Sequence, residues 1–390
     1  MDDVRVGIIG IGGMGSHHLN YLSAGEVPNA RLTAVCDVNP ERLAWAREKL
    51  GESVKTYATA EALIADKTCD AVLIATPHYF HPPIAIAAFR AGLHVMSEKP
   101  AGVYTRQVRE MNEAAAASGK KFGLMFNQRT SPMFQKIKDI VASGELGELR
   151  RSVYVITTWF RTQAYYDSGD WRATWAGEGG GVLINQCPHN LDIWQWIVGQ
   201  PRRVRAFCHN GKHHRIEVED DVTAYVEYDN GATGVFVTTT GEAPGTNIFE
   251  LSGDRGHLSF TGGKLTFQRT RVPVSEFLNT SKASFARPET WTCDIPVAKD
   301  SDGNSHRTIT RAWIQAIVKD TPLVAEGKEG IRSLEISNAM YLSAWTGETV
   351  TLPVDEDRFY TLLQERIATS TYVKKATGKS ADVAGSFNLS

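Results

Sequence analysis

The chain has 390 residues, 42% of them hydrophobic and 22% charged, with a formal net charge of -2 at pH 7. This composition is typical of a globular protein with room for two domains. The near-neutral charge disfavours nucleic acid and anionic membranes as partners and favours a small neutral ligand. The five cysteines are odd in number and form no C-x-x-C pair, so we expect no disulfide framework and no metal site. The first residues lack a basic and apolar leader and no long apolar segment follows, so we expect a cytoplasmic protein.

The first third of the chain alternates short apolar runs with amphipathic helical stretches. This alternation predicts a doubly wound α/β Rossmann domain with a parallel sheet over residues 1–129. Ligands bind such sheets at the carboxyl ends of the strands. The predicted strands cover residues 4–9, 31–36, 70–74, 93–96 and 122–126.

A glycine-rich turn follows the first predicted strand and opens a helix that is expected to begin near Met14. Its pattern is G-x-G-x-x-G, which is used in tight turns where backbone approaches a pyrophosphate at a helix N-terminus. We therefore predict that a dinucleotide is bound by Gly10, Gly12, Gly13, Met14 and Gly15.

Asp37 ends the second predicted strand, about 20 residues beyond the glycine turn. At this distance a carboxylate accepts a hydrogen bond from a ribose 2′-hydroxyl, and it would repel a 2′-phosphate. Asp37 thus favours NAD over NADP, with Arg42 the only basic residue nearby to offset it. The alternative is that Asp37 only caps the helix after Pro40.

Lys99 follows the strand predicted at residues 93–96, where the sheet opens toward its ligand. An ammonium there can stabilise a developing alkoxide or relay a proton, and a neighbouring oxidised nicotinamide would lower its pKa. Glu98 could hold Lys99 by charge pairing, and Pro100 would stiffen the turn.

Long β-rich segments with alternating polarity appear after Leu149 and predict an α+β domain over residues 130–390 with a large, mostly antiparallel open sheet. One face of this sheet lacks an obvious cover, so we expect a homodimer or homotetramer. A C-terminal helix could pack back on the first domain, and the last twenty or so residues suggest a mobile or partner-draped tail. Predicted strands cover residues 151–160, 204–208, 222–228, 234–240, 249–252, 256–260 and 264–267, and predicted helices cover 181–198, 306–319 and 330–346.

The helix expected over residues 181–198 carries Asn185 and His189, which are four residues apart and would project from one face. Asp192 and Trp196 would continue that stripe, with Asp192 more often structural. A buried histidine satisfied by backbone is the alternative for His189.

The stretch over residues 159–172 is rich in aromatic and polar side chains. Aromatic rings pack on the C–H faces of sugars while polar groups bond the hydroxyls, so we predict substrate contacts from Tyr166, Trp171 and Arg172. Core packing or an oligomer contact is the alternative.

The chain resembles the Gfo/Idh/MocA oxidoreductases over nearly its whole length. The resemblance rests on the glycine turn, residues 75–78 with His81, Glu98-Lys99-Pro100, residues 126–129 and the glycine-led helix. It implies that Lys99 is catalytic and that His189 takes the hydroxyl proton. Family members usually carry aspartate where this chain has Asn185; asparagine can still bond a hydroxyl, but it lacks charge, so His189 should be less basic. The residues implied to lie near the cofactor, beyond the glycine turn and Asp37, are Thr76, Pro77, His81, Glu98, Lys99 and Asn127.

These inferences together predict an NAD-dependent dehydrogenase that converts a secondary ring hydroxyl of a sugar, glycoside or cyclic polyol to a ketone. Carbon 3 of a hexopyranoside is the first expectation for the substrate, and an inositol is the second. Two other classes of function stay open: a non-catalytic NAD and sugar sensor, and an enzyme that keeps NAD bound while it processes a glycoside.

Overall fold

The computed structural model describes residues 3–298 and 305–374 of the chain. Beyond Lys374, the tail that we predicted to be mobile or partner-draped lies outside the described residues. Within these ranges the chain forms two sheets, each with its own layer of helices and its own hydrophobic core.

The first sheet has six parallel strands in the order β3-β2-β1-β4-β5-β6, which confirms the doubly wound Rossmann fold. β3 was not predicted, because three residues are too short to show a periodic pattern. The strands are β1 (Val4–Ile9), β2 (Ala30–Cys36), β3 (Lys55–Tyr57), β4 (Ala71–Ile74), β5 (His94–Ser97) and β6 (Phe122–Leu124). The helices of this part are α1 (Gly13–Ser23), α2 (Pro40–Leu50), α3 (Ala60–Ala65), α4 (His81–Arg90) and α5 (Thr105–Ser118).

The second sheet has nine strands in the order β14-β13-β12-β11-β7-β10-β9-β8-β15, and all neighbours are antiparallel except β7 and β10. The predicted mostly antiparallel sheet is therefore confirmed. The strands are β7 (Leu149–Ile156), β8 (Arg203–Asn210), β9 (Glu219–Glu227), β10 (Thr233–Thr239), β11 (Asn247–Gly253), β12 (Gly256–Thr261), β13 (Lys264–Thr270), β14 (Thr290–Asp294) and β15 (Val350–Thr351). The remaining helices are α6 (Pro132–Ala142), α7 (Gln163–Tyr166), α8 (Pro188–Val198), α9 (Val274–Thr280), α10 (His306–Lys319), α11 (Gly330–Thr346) and α12 (Glu356–Thr369).

Helix α10 belongs to the core of the first sheet although it follows the second sheet in the chain. Ile309, Trp313 and Ile314 are buried in the same cluster as the apolar residues of β1, β4 and β5. Helix α11 contributes mostly to the other core, where it packs on α8 and β8. These two helices therefore fix the glycine turn of one sheet relative to α8 of the other.

The helix expected over residues 181–198 begins only at Pro188, so that prediction was wrong in its first seven residues. Residues 181–187 instead form turns around the buried carboxylate of Glu219, which accepts the N–H groups of Gly181 and Leu183, each at 2.9 Å. Burial raises the pKa of Glu219 to about 7, against the hydrogen bonds from Tyr341 and from these N–H groups. Since Asn185 lies in the turn and His189 in the helix, the two do not share a helical face.

Within the described residues, one face of the second sheet is buried and the other is only partly buried. Along β7 and β10 the buried residues alternate with half-buried Val153, Val155, Val235 and Val237 on the other face. Tyr225 on β9 is 43% exposed on that face beside Val235. No helix within residues 3–298 and 305–374 is both long and apolar enough to cross a membrane.

Candidate active site

The glycine turn lies between β1 and α1, and two of its glycines have no room for a side chain. Gly10 has a φ of +87°, and a Cβ there would lie 2.7 Å from the carbonyl oxygen of Ala75. A Cβ on Gly15 would lie 1.8 Å from the carbonyl oxygen of Gly10. Gly12 precedes α1 and provides no side-chain cap, so the first N–H groups of the helix point to whatever lies above the turn. This arrangement fits a dinucleotide phosphate.

Asp37 follows β2 and lies directly beside this turn. Its carboxylate accepts the N–H of Ile11 at 2.9 Å and the N–H of Asn39 at 2.9 Å. The alternative role of Asp37 as a helix cap is wrong, because the cap of α2 is Asn39, whose side chain accepts from Glu41. Arg42 donates to the carbonyl oxygen of Ile11 at 3.0 Å, so its guanidinium also lies over the glycine turn.

The turn after β4 carries Thr76, Pro77 and His81. The hydroxyl oxygen of Thr76 is buried and has no hydrogen-bond partner in the described part of the chain, as expected for an atom that meets a ligand. The ring nitrogens of His81 instead lie 2.8 Å from the carbonyl oxygen of Pro100 and 2.7 Å from that of Thr76. His81 therefore ties together the turns that follow β4 and β5.

Lys99 is half-buried at the carboxyl end of β5, and its peptide bond to Pro100 is cis. The ammonium crosses to the second half of the chain and donates to the backbone carbonyl of Asn185 at 2.7 Å. Burial lowers the pKa of Lys99, and the positive charges of Arg172 and Arg161 act in the same direction. A lysine with a lowered pKa is suited to proton transfer near neutral pH.

Glu98 does not pair with the Lys99 side chain, contrary to our expectation. Its buried carboxylate lies 2.7 Å from Nε2 of His18, and the other oxygen accepts the backbone N–H of Lys99 at 3.2 Å. Burial opposes ionisation, but His18 and the nearby charges hold the pKa of Glu98 well below its usual range. His18 thus stabilises the turn that carries Lys99.

His189 lies in the first turn of α8 and is 8% exposed. Its Nδ1 is buried and has no hydrogen-bond partner among residues 3–298 and 305–374, so the alternative of a histidine satisfied by backbone fails at this atom within that part of the chain. Burial, and then the charge of Lys99, lower the pKa of His189 well below its ordinary value. The ring is therefore neutral at pH 7 and has an unused nitrogen, which suits it to accept a proton.

Asn185 and Glu178 form a contact that the sequence reasoning missed. The side-chain amide of Asn185 donates to the buried carboxylate of Glu178, which also accepts the N–H of Ala173 at 2.5 Å. Burial raises the pKa of Glu178. The only signal for this residue in the sequence was a single acidic residue directly before the glycines at 179–181.

The aromatic stretch over residues 159–172 places only some of its predicted substrate contacts beside Asn185 and Glu178. Arg172 stacks between Tyr165 and Trp171, with its guanidinium carbon 4.6 Å and 4.5 Å from the ring centroids, and lies 3.9 Å from the Glu178 carboxylate. Tyr166 is 1% exposed and its hydroxyl is 2.7 Å from that of Thr240, so its prediction as a substrate contact was wrong. Tyr166 points from α7 into the core, whereas the neighbouring Tyr165 is half-buried.

The turn after β6 contains Asn127 and Arg129, both buried. Arg129 donates two hydrogen bonds to Asp192 of α8, at 2.8 Å and 2.7 Å, and a third to Glu329. Phe126, just before the turn, meets the His189 ring edge-to-face with centroids 6.2 Å apart. Asp192 is therefore structural, as expected, and it fixes α8 against the first sheet.

Two family models match the chain, one over its first third and one over the middle third. Residues 4–126 match the model described as the oxidoreductase family with an NAD-binding Rossmann fold. Residues 134–259 match the GFO/IDH/MocA C-terminal domain.

Known proteins similar to the chain include dehydrogenases that act on sugars. D-glucoside 3-dehydrogenase of Escherichia coli K12 is 26% identical over 90% of this chain and 97% of its own length. Levoglucosan dehydrogenase of Pseudarthrobacter phenanthrenivorans is 28% identical over 67% of this chain and 74% of its own length. The crystal structure of the WlbA dehydrogenase from Chromobacterium violaceum, in complex with NADH and UDP-GlcNAcA, is 27% identical. The match covers 91% of this chain and 97% of the WlbA chain, with a TM-score of 0.77.

Proposed function

The chain belongs to the Gfo/Idh/MocA oxidoreductases, and from this premise we propose that it uses NAD to oxidise a secondary ring hydroxyl of a sugar, glycoside or cyclic polyol to a ketone. The observation that carries the proposal is the pairing of two groups. Lys99 reaches from the first sheet to Asn185, and His189 has a buried Nδ1 without a partner. A hydroxyl placed between these groups has both a cation for its developing charge and an acceptor for its proton.

The cofactor lies, in this proposal, across the carboxyl ends of the parallel strands. The glycine turn would hold the pyrophosphate and Asp37 the adenine-side ribose. The Thr76 hydroxyl, which has no hydrogen-bond partner among the described residues, would bond the cofactor. His81 and Glu98 brace these turns through Pro100 and His18 rather than through cofactor contacts. The residues proposed to contact the cofactor are Gly10, Gly12, Gly13, Met14, Gly15, Asp37, Thr76, Pro77, Lys99 and Asn127.

Bound NAD would supply the hydride acceptor for the carbinol carbon. His189 accepts the hydroxyl proton as the carbon–oxygen double bond forms, and it can do so because its lowered pKa keeps it neutral. Lys99 stabilises the negative charge on the oxygen during the transfer. The same groups run the reverse reduction.

The substrate is proposed to contact Lys99, Asn185 and His189 at the reacting hydroxyl, and Trp171 and Arg172 at the loop. Carbon 3 of a hexopyranoside is our first choice, in line with the D-glucoside 3-dehydrogenase relative. An inositol is the second choice, in line with the myo-inositol 2-dehydrogenase of Thermotoga maritima, which is 30% identical over 50% of this chain.

The test is absorbance at the NADH band when the purified protein and NAD meet glucose, simple glucosides, levoglucosan and inositols. We expect turnover on one of these classes and loss of it in His189→Ala, by about 100-fold or more. A protein that binds NAD but reduces none on any substrate would contradict the proposal and favour the sensor. Release of product without net NADH would favour the enzyme that keeps its cofactor.

Asp37 is expected to set the choice of cofactor. Asp37→Ser removes the carboxylate that would repel a 2′-phosphate, while Arg42 still lies over the turn. The ratio of kcat/KM for NADP to that for NAD should therefore rise about tenfold or more. Asp66→Ser, which changes an exposed carboxylate paired with Lys55, is the matched control. An unchanged ratio in Asp37→Ser would mean that Asp37 does not face the ribose.

The open face of the second sheet supports assembly. Its valines and the exposed Tyr225 and Phe207 form an apolar surface that a homodimer or homotetramer would cover. We place the enzyme in the cytoplasm, with a small-molecule substrate and no nucleic acid or membrane partner.

A further inference from the structure

The described residues contain five buried carboxylates, and four of them have structural partners. Those four are Glu98 with His18, Asp192 with Arg129, Glu219 with the N–H groups of the 181–187 turns, and Asp220 with His214. The fifth, Glu178, has no ion pair closer than the 3.9 Å to Arg172 and instead contacts Asn185. Among the five, Glu178 alone bonds the side chain of a residue proposed to bind substrate, whereas Glu98 accepts only the backbone N–H of such a residue, Lys99.

The contact with Glu178 fixes which way the Asn185 amide points. A carboxylate only accepts hydrogen bonds, so the amide nitrogen must face it and the amide oxygen must face away. Asn185 is half-buried, and its hydrogen bonds within the described part of the chain use its backbone groups and its amide nitrogen, not its amide oxygen. The oxygen is thus available to accept from a substrate hydroxyl.

Glu178 also acts on Lys99 through Asn185. The Lys99 ammonium donates to the backbone carbonyl of Asn185, so both side chains are held at one residue. Burial lowers the pKa of Lys99; the negative charge of Glu98, and after it that of Glu178, favour the charged form, whereas Arg172 and Arg161 disfavour it. The backbone of Glu178 joins the first domain too, since its carbonyl oxygen lies 3.0 Å from Nδ1 of His78.

We propose that Glu178 is the positioning carboxylate of the active site: it orients the Asn185 amide toward the substrate hydroxyl and adds a second negative charge, beside that of Glu98, near Lys99. This inference rests on the proposed dehydrogenase function. It predicts that the site needs one carboxylate shared between positions 178 and 185, and that none or two will impair it.

The kinetic test is a double-mutant cycle. Glu178→Gln leaves no carboxylate at positions 178 and 185, and Asn185→Asp places two carboxylates in contact there. Each single variant should lower kcat about tenfold or more. The double variant Glu178→Gln with Asn185→Asp exchanges the two groups and should recover most of that loss. Glu217→Gln is the control, because Glu217 supports the same loop through the N–H of Trp175 at 2.8 Å but touches none of the proposed substrate contacts.

The pH profiles separate positioning from structural support. The groups that face Glu178 are Arg172, Lys374, Lys99 and Asn185, with the N–H of Ala173. Because burial raises its pKa, the wild type should lose activity as falling pH protonates Glu178, and Glu178→Gln should lack this acid limb. Asn185→Asp should lose activity as pH rises, because two touching carboxylates work only while they share a proton. The double variant should lack that new limb.

A second readout does not need turnover. The pH dependence of Lys99 acetylation, followed by mass spectrometry in the cofactor-free protein, reports the Lys99 pKa. Glu178→Gln should lower this pKa further, and Glu217→Gln should leave it unchanged. An unchanged Lys99 pKa, or single effects that simply multiply in the double variant, would overturn the inference. Absence of turnover in the wild type would instead count against the dehydrogenase proposal alone.

Discussion

Replacing Lys99 by methionine is expected to lower kcat about 1000-fold while NAD still binds. Methionine keeps an unbranched side chain, one atom shorter than that of lysine, but removes the ammonium that donates to Asn185 and stabilises charge on the reacting oxygen. The affinity for NAD, measured by fluorescence titration, should change less than about tenfold, since the glycine turn and Asp37 are untouched.

Lys99→Arg distinguishes the two roles of the ammonium. Arginine keeps a positive charge but does not release a proton at accessible pH. If it restores part of the rate lost in Lys99→Met, Lys99 acts chiefly by charge; if it restores none, proton transfer or geometry dominates. Lys55→Met is the control, because Lys55 is exposed and pairs only with Asp66. A Lys99→Met enzyme that keeps a rate within tenfold of wild type would contradict a catalytic role.

Arg129→Met is expected to lower the free energy of unfolding by about 3–5 kcal/mol. Arg129 is 1% exposed and holds both oxygens of Asp192, so its loss leaves a buried carboxylate without its partner. Burial works against the charged guanidinium, but the hydrogen bonds with Asp192 raise the pKa of Arg129 above its ordinary value. Denaturation in urea, followed by tryptophan fluorescence, measures the change.

Two further variants test the reason for that loss. Arg129→Met combined with Asp192→Leu removes both buried charges and should recover part of the stability, because no buried carboxylate is left without its cation, although the buried Gln195 amide loses its acceptor. Arg203→Met breaks an exposed pair with Glu227 and should cost about 0–1 kcal/mol. A loss in Arg129→Met as small as that in Arg203→Met would show that the buried pair does not hold α8 to the first sheet.

The sequence alone predicted those features that depend on local pattern. The alternation of apolar runs placed five of the six parallel strands, and G-x-G-x-x-G placed the turn at Gly10 to Gly15 between β1 and α1. The C-terminal helices α10 and α11 have the bounds expected from their periodicity. Each of these signals lies within a few residues of the structure that it predicts, which is why a single sequence is enough.

The tertiary structure decided what depends on residues distant in the chain. Lys99 meets Asn185 across 86 positions, and His18 meets Glu98 across 80. The sequence periodicity predicted that helix α8 begins at residue 181. In the structure, Glu219 of β9 accepts the N–H groups of Gly181 and Leu183, and the helix begins at Pro188.

The same distinction explains the candidate site. Lys99 and His189 could be predicted as reactive groups from their residue types. Nothing near Glu178 in the sequence showed that its carboxylate would contact the Asn185 amide. Tyr165 and Tyr166 are neighbours of one type, and only the packing of Tyr166 against Thr240 and His214 decides which of them faces the loop surface. Local sequence therefore determined the elements and the reactive groups, whereas long-range packing and hydrogen bonding determined which groups meet, because such pairings carry no local pattern.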